Sequence, residues 1–342
     1  MMGDNLHPFV SILIPIRNEA HYIEKCLEAV LKQDYPAEQI EILIADGMSD
    51  DGTRDLLKAN HINDSRVKVF DNHAKIVASG LNLLTRHAKG LILVRVDGHC
   101  VIAPDYVSRC VHHLQTKNVD GVGGPMNSIG EDDISQTIAL AMSSKFGVGG
   151  SSFRTEVGQT KLVDTIPFPA YTRAIVDKVG PYDEELVRNQ DDEYNYRIRE
   201  AGGKILLAED VRSIYFTRGS LRNLWRQYDQ YGFYKVRVFQ MHPKQMRPRQ
   251  FIPPMFVLTL IITAFLTLIT PWGWLSLLCI SGIYLAANTA ASLITAYPRH
   301  YKYLWRLPLA FATLHISYGS GFLLGLIKFW NRWGRKQAQV SL

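Results

Sequence analysis

Two short stretches of the sequence place reactive side chains where they can act on a ligand. LVRVDGHC, residues 93–100, runs as a hydrophobic strand and stops at Asp97, Gly98 and His99, offering a carboxylate and an imidazole two positions apart. RNQDDEYNYRIRE, residues 188–200, opens with Asp191, Asp192 and Glu193 directly after Gln190. A D-x-H can simply be a strand end turning into solvent. It can also be the donor pair of a diphosphate and metal site, with oxygen from the acid and nitrogen from the ring. In the second stretch Asn189 is the expected helix N-cap, and acids in a first helical turn are held ionised by the helix dipole. Successive helical positions diverge by about 100°, so the three acids cannot all face one ligand. The bland alternative is a solvated acidic helix start.

The elements that must position these groups follow from hydrophobic spacing. VSILIPI (10–16), IEILIAD (40–46), RVKVFDN (66–72) and LILVRVD (91–97) read as strands, three of them nearly continuous apolar runs. Between them HYIEKCLEAVLKQ, GMSDDGTRDLLKA and IVASGLNLLTRHA carry helical spacing, the first with Ile23, Cys26, Leu27, Val30 and Leu31 on one face. Such alternation predicts a doubly wound parallel α/β sheet covered on both faces, whose ligands sit at the carboxyl ends of the strands. Arg17, Asn18 and Glu19 follow the first strand, Asp46 ends the second, Lys75 comes shortly after the third, and Asp97 with His99 follows the fourth. There is no G-x-G-x-x-G and no Walker lysine, which argues against dinucleotide and P-loop chemistry. Acids at this edge suit a nucleobase N–H, ribose hydroxyls and a divalent cation.

The net charge of +6 is unevenly distributed. Beyond Gln250 stand Arg299, Lys302, Arg306, Lys328, Arg332, Arg335 and Lys336 with no acid, interleaved with apolar runs. That is a juxtamembrane pattern, not a nucleic-acid face. Residues 251–298 contain no Asp, Glu, Lys, Arg or His. They divide at Pro271-Trp272-Gly273 into spans of about 251–270 and 274–297, each able to cross about 30 Å of hydrocarbon. A third apolar segment, 307–327, carries His315, Ser317, Tyr318 and Ser320 and either spans or lies in the interface. The first apolar run, Phe9 to Ile16, is too short for a signal peptide and lacks a basic flank, so the first 250 residues are expected in the cytoplasm. Cys26, Cys100, Cys110 and Cys279 lack metal-ligand spacing and are expected as reduced thiols.

PIRNEAHYIEKCLEAVLKQDYP, IADGMSDDGT, Asn82, AKGLILVRVDGH, VGPYDEELVRNQDDEYNYRIREAGGKI and RQYDQYG together resemble the inverting family 2 nucleotide-sugar glycosyltransferases of GT-A fold. The combination of IADGMSDDGT, VDGH and NQDDE looks most like the succinoglycan, exopolysaccharide-type branch. The resemblance covers residues 9 to about 235. It implies a Rossmann-like mixed sheet in a catalytic domain of residues 1–235, a basic linker 236–250 and a membrane domain 251–342. It places the base on Pro15, Glu19 and Asp46, with Lys75 and Asp97 completing the donor set, and it leaves Asp51 to fix its loop. VDGH stands where the family has D-x-D, so Asp97 and His99 become the ligands of Mn²⁺ or Mg²⁺. The imidazole favours Mn²⁺. Alignment with the frame E-D-x-D/E-L-x-x-R selects Asp191 as the base, although Gln190 replaces an acid. Asp192, Gln227, Tyr231 and Arg218 are the candidates for acceptor and diphosphate. Gln227 to Tyr231 stands where the family's Q-x-x-R-W would be, but its Arg and Trp are missing, which puts processivity in doubt.

The sequence is thus read as a multi-pass enzyme of the cytoplasmic membrane with its catalytic domain inside. It would move a single hexose, glucose by preference, from a UDP-sugar to a polyprenyl-diphosphate-linked saccharide, inverting the anomeric centre. The rival readings are a processive polysaccharide synthase and a non-catalytic membrane scaffold on a decayed transferase fold.

Overall fold

A computed structural model describes residues 7–60, 64–155, 158–217, 219–297 and 300–333. They form two compact units, one of residues 7–127 and 158–215, the other of 128–155 and 216–333. Elements are numbered along the whole chain.

The first unit is built on eight strands: β1 (Val10–Ile16), β2 (Ile40–Asp46), β3 (Val67–Asp71), β4 (Ile92–Arg95), β6 (Gly121–Gly123), β8 (Lys161–Leu162), β9 (Ala170–Thr172) and β10 (Ile205–Leu207). Their order is β3-β2-β1-β4-β9-β6-β10-β8. β1, β2, β3 and β4 are parallel, as the alternation predicts. The sheet as a whole is mixed, because β9 runs antiparallel to both β4 and β6, and β8 antiparallel to β10. β1 and β2 are buried at every position, which explains their largely apolar sequence, and the buried Ser11 and Glu41 within them are paired, Ser11 Oγ donating to Glu41 Oε1 at 2.7 Å. The helices α1 (Ile23–Leu31), α2 (Thr53–Asn60), α3 (Val77–His87), α4 (Tyr106–Thr116), α8 (Arg173–Val179) and α9 (Gln190–Glu200) belong to this unit. α1 buries Ile23, Cys26, Leu27 and Val30, four of the five residues its spacing singled out. A small antiparallel pair, β5 (Cys100–Ile102) with β11 (Ser213–Phe216), follows the end of β4. Burial pushes the thiols of Cys26, Cys100 and Cys110 up, so all three stay protonated and pack as small apolar groups.

After β7 (Met126–Ile129) the second unit holds α5 (Asp133–Met142), α6 (Lys145–Val148), α7 (Ser152–Thr155), α10 (Leu221–Met241), α11 (Ile252–Leu266), α12 (Pro271–Ala296) and α13 (Leu307–Lys328). Asp132 starts α5 with a reciprocal capping box to Ser135. Ile138, Met142, Leu224, Leu307, Phe311 and Leu314 form the core of this unit. Against α10, Gly321 and Gly325 of α13 meet the Asp229 and Phe233 carbonyls so closely that a Cβ at either position would collide. Three helices, Pro248–Leu266, Pro271–Ala296 and Leu307–Lys328, are long and apolar enough to cross a membrane.

Candidate active site

The carboxyl edge of β1, β2 and β3 is stitched together by the polar residues of the SDDGT stretch. Asn18 donates its backbone N–H to Ser49 Oγ at 2.8 Å, and Asn18 and Asp50 exchange two further hydrogen bonds. Asp51 accepts from the Ala20 N–H at 3.0 Å and from both the N–H and the hydroxyl of Thr53, while Thr53 Oγ1 accepts from the Glu19 N–H at 2.9 Å. Asp51 therefore fixes the loop, as expected. Burial acts to raise its carboxyl, but the bonds from Thr53 and Ala20 outweigh that and hold it below the ordinary carboxylate range. Of six non-glycine residues with positive φ among those described, Asn18, Met48 and Lys75 follow β1, β2 and β3, and Phe168 lies beside the end of β4. Such backbone costs about 1–3 kcal/mol per residue and gathers where a loop must serve a ligand.

Asp46 is fully buried and faces Asp71 across the β2–β3 register. Arg54 relieves that repulsion, with its Nε 3.0 Å from Asp46 Oδ2 and Nη2 on Asp71, and Ser49 donates its hydroxyl to Asp46. Pro15 is buried in β1 opposite Ala45, and Lys75 is exposed in a left-handed turn.

The D-G-H stretch lies outside the strand. β4 stops at Arg95, two residues earlier than its apolar pattern suggests, and Gly98 and His99 form a turn into β5 that the Cys100 N–H closes on the Asp97 carbonyl at 3.0 Å. Arg95 grips Asp97 through Nε–Oδ1 at 2.9 Å and Nη2–Oδ2 at 3.2 Å. Burial would depress the guanidinium pKa, but the charges of Asp97 and Asp191 outweigh burial and raise it. His99 Nδ1 lies 2.9 Å from Glu19 Oε1, and the ring stands edge-on to Tyr215 at 4.8 Å between centroids. Gly98 is required here: a Cβ would come within 3.0 Å of Glu19 Cγ and 2.8 Å of Ile16 Cγ2.

On α9 the three acids separate as helical geometry demands. Glu193 is fully buried and taken by Arg197, with Nε–Oε1 at 2.7 Å and Nη2–Oε2 at 3.0 Å, while Arg197 also donates to the Val179 and Pro181 carbonyls. Asp191 and Asp192 stay partly open, and Asp191 Oδ1 accepts the Asp192 N–H at 2.9 Å. The expected cap is corrected. Asn189 precedes the helix in the left-handed conformation, and its side chain makes no capping bond. Gln190 is buried, and its Oε1 has no hydrogen-bond partner among the described residues.

Arg95, a residue sequence reasoning passed over, thus pairs directly with Asp97, and the charge of Asp191 also acts to raise its guanidinium pKa. A charged side chain inside the apolar run LVRV was the available signal. Gln227 and Tyr231 belong to the second unit, where Gln227 Nε2 donates to Tyr231 Oη at 3.0 Å. Arg218 lies outside the described residues.

The donor chemistry fits a divalent cation. Asp97 accepts one bond from Arg95 on each oxygen and has a further lone-pair site on each, and His99, its Nδ1 engaged by a carboxylate, keeps Nε2 unbonded among the described residues. Among those residues no three His, Cys, Asp or Glu side chains gather closely enough to enclose a metal. Protein ligands alone would leave such an ion open to a diphosphate and water.

A mixed sheet of this order, with acids at its carboxyl edge and a following helix that opens on carboxylates, is the arrangement of a GT-A glycosyltransferase. The chain belongs to glycosyl transferase family 2, whose model matches residues 11–180. It is 29% identical over 330 residues to the succinoglycan biosynthesis protein ExoA of Rhizobium meliloti, covering 94% of this chain and 96% of that one. It is 30% identical over 329 residues to the dolichyl N-acetyl-alpha-D-glucosaminyl phosphate 3-beta-D-2,3-diacetamido-2,3-dideoxy-beta-D-glucuronosyltransferase of Methanococcus voltae, covering 94% and 98%. The mannosyltransferase PcManGT of Pyrobaculum calidifontis, solved with GDP-Man and Mn²⁺, shares the fold with a TM-score of 0.59, covering 94% of this chain and 88% of that one at 20% identity.

Proposed function

We propose that this glycosyltransferase moves one hexose, glucose by preference, from a UDP-sugar to a polyprenyl-diphosphate-linked saccharide at the cytoplasmic face of a membrane, inverting the anomeric centre. The observation that supports this reading is the two-bond grip of Arg95 on Asp97 beside the end of β4, with the negative charge of Asp191 on α9 also acting on that guanidinium; we take Asp97 as the donor-binding acid and Asp191 as the base. Asp191 takes the proton from the acceptor hydroxyl as that oxygen attacks the anomeric carbon. Asp46 accepts from the base, with the backbone of Pro15 and the side chain of Lys75 beside it. Asp97 and His99 would hold Mn²⁺ or Mg²⁺, which supplies positive charge to the departing diphosphate. Asp192, Gln227, Tyr231 and Arg218 are assigned to acceptor and diphosphate. The lipid-linked acceptor is favoured by the named activity of the Methanococcus relative and by three apolar helices after the catalytic unit.

The packing of α13 supports two spans and one interfacial helix. α13 runs beside α10 in the same direction, with Gly321 against Asp229, Gly325 against Phe233, and Gln240 Nε2 donating to the Phe329 carbonyl at 2.7 Å. α10 carries Arg222, Arg226, Asp229, Lys235 and Arg237. Each such charge costs about 2.5–3.5 kcal/mol at the middle of a bilayer. A helix bound along α10 is favoured at the headgroup level, where Lys244, Arg247 and Arg249 meet anionic lipid.

The test is transfer of radiolabelled sugar from a panel of nucleotide donors into extracted lipid by the purified protein. Label in lipid, released by mild acid as a short saccharide, is expected with UDP-glucose. Labelled polymer would replace this reading with a processive synthase, and absence of nucleotide release with any donor would end it.

A further inference from the structure

The side chain of Glu19 is turned onto His99, and the construction around it is too specific to be incidental. Its backbone N–H is held by Thr53 Oγ1, the neighbouring Ala20 N–H by Asp51, and its Cγ packs where Gly98 lacks a Cβ. The imidazole is clamped on its other side by the Tyr215 ring, itself stacked on Phe168. Glu19 and His99 are 80 positions apart in sequence, and their side chains are only 12% and 13% exposed. A carboxylate on Nδ1 fixes the tautomer with hydrogen on Nδ1 and leaves the Nε2 lone pair directed outward. Histidines that ligate metals are oriented in this way by a carboxylate outside the coordination shell.

We infer that Glu19 is a positioning residue for His99: through the SDDGT clasp it sets the tautomer and angle at which Nε2 receives a divalent cation, instead of contacting the base or the metal itself. The inference rests on the functional reading above only in taking His99 as a metal ligand. Its consequence is that the loop after β1 and the D-G-H turn form one device, so the signature acids Asp50 and Asp51 act on the cation at two removes, through Asn18, Ala20 and Glu19.

Glu19→Ala and Glu19→Gln separate this role from direct contact, because a glutamine oxygen still accepts the Nδ1–H but supplies no charge to a metal or a uracil. The full-length protein, ¹⁵N-labelled at histidine, is examined without metal by long-range ¹H–¹⁵N spectra, with the His99 signal assigned by its loss in His99→Ala. The Nδ1–H tautomer is expected in the wild type and in Glu19→Gln, and the Nε2–H form that dominates in water in Glu19→Ala. Mn²⁺ binding in the presence of UDP, read by electron paramagnetic resonance, is expected to weaken roughly 10–100-fold in Glu19→Ala and only a few-fold in Glu19→Gln. UDP binding without metal is expected to be unchanged in both. A wild-type Nε2–H tautomer, a wild type that binds no Mn²⁺ with UDP, or Gln and Ala variants equally impaired would each overturn the assignment. If Glu19→Ala does not fold, Glu19→Gln decides alone, since a role in direct contact predicts the full loss there. Neither readout requires turnover, so a protein that passes both yet transfers no sugar contradicts the proposed function and not this assignment.

Discussion

Arg95, the last residue of β4, and Asp97, two positions beyond it, face each other through both carboxylate oxygens at 2.9 and 3.2 Å. Residues two apart on an extended chain share a face, so the pair is local in sequence. Its effect is not only local, because the negative charge of Asp191 on α9 also raises the pKa of the same guanidinium. The fork geometry is one that only arginine offers.

Arg95→Leu is therefore expected to lower stability by about 2 kcal/mol, less than the roughly 3–5 kcal/mol of a fully buried broken pair, since the Asp97 side chain is 22% exposed. Donor KM should rise in the same variant as Asp97 loses its orientation. Arg95→Lys should recover less than half of either effect. Thermal unfolding and donor kinetics on the three proteins check this, and full recovery by lysine would remove the bidentate argument.

Asp191→Asn is expected to keep the fold and donor affinity and to cut transfer by about 10²–10⁴-fold, the usual worth of a general base. Glu193→Gln should behave differently. It breaks a buried pair with Arg197 that anchors α9 to two carbonyls, so protein yield and melting temperature should fall before any specific catalytic loss. Single-turnover transfer and circular dichroism on both variants distinguish base from anchor.

The contrast between these two acids shows what the sequence carries. Helical spacing was enough to say that Asp191, Asp192 and Glu193 diverge, and the long strands β1 and β2 were legible to the residue because burial on both faces leaves them mostly apolar, with only Ser11, Glu41 and the terminal Asp46 as polar exceptions. β9 was not legible. Three residues, Ala170–Thr172, have no period to read, and their antiparallel place between β4 and β6 depends on pairings about 50 and 80 residues distant. The Glu19–His99 couple was hidden for the same reason, since the motif gave both residues a ligand and only tertiary packing shows them facing each other.

Acid should loosen the β1–α1 loop late. Asp51 is depressed in the folded protein, so its contribution is complete above the unfolded carboxylate value and is lost as pH falls through the lower folded value. Asp51→Asn should be less stable than wild type near pH 7, and the gap should close on acidification only below the ordinary aspartate range of about 3.9. Melting temperatures of both proteins from neutral pH to about pH 2.5 test the sign; a gap that widened in acid would contradict it.

His99→Ala should raise the metal concentration for half-maximal activity and hurt Mn²⁺-supported turnover more than Mg²⁺-supported turnover, because imidazole is a better partner for the softer ion. Chelation should silence the wild type, with Mn²⁺ the better restorer. Metal titrations that superimpose for wild type and variant would return the D-G-H turn to a plain strand end.

The last prediction concerns the C-terminal tail. With the catalytic unit inside, the turn around Thr270 faces outward and the basic stretch 297–306 returns inside, in keeping with the positive-inside rule. If α13 then crossed, Lys328, Arg332, Arg335 and Lys336 would be exported against that rule. α13 is also unlike the other two candidates in its packing: 44% of its apolar window is buried inside the protein, against 17% and 11%. Its partner is α10, whose charges resist the hydrocarbon. Ser317 and the glycines of α13 are turned into the protein, and Trp330 and Trp333, both exposed, suit the headgroup region. The expected arrangement is two crossings by α11 and α12, with α13 lying along the inner surface and the tail inside. A green fluorescent reporter fused after Leu342 should fluoresce and an alkaline phosphatase fused there should be silent. Phosphatase activity would place the tail outside and make α13 a third span.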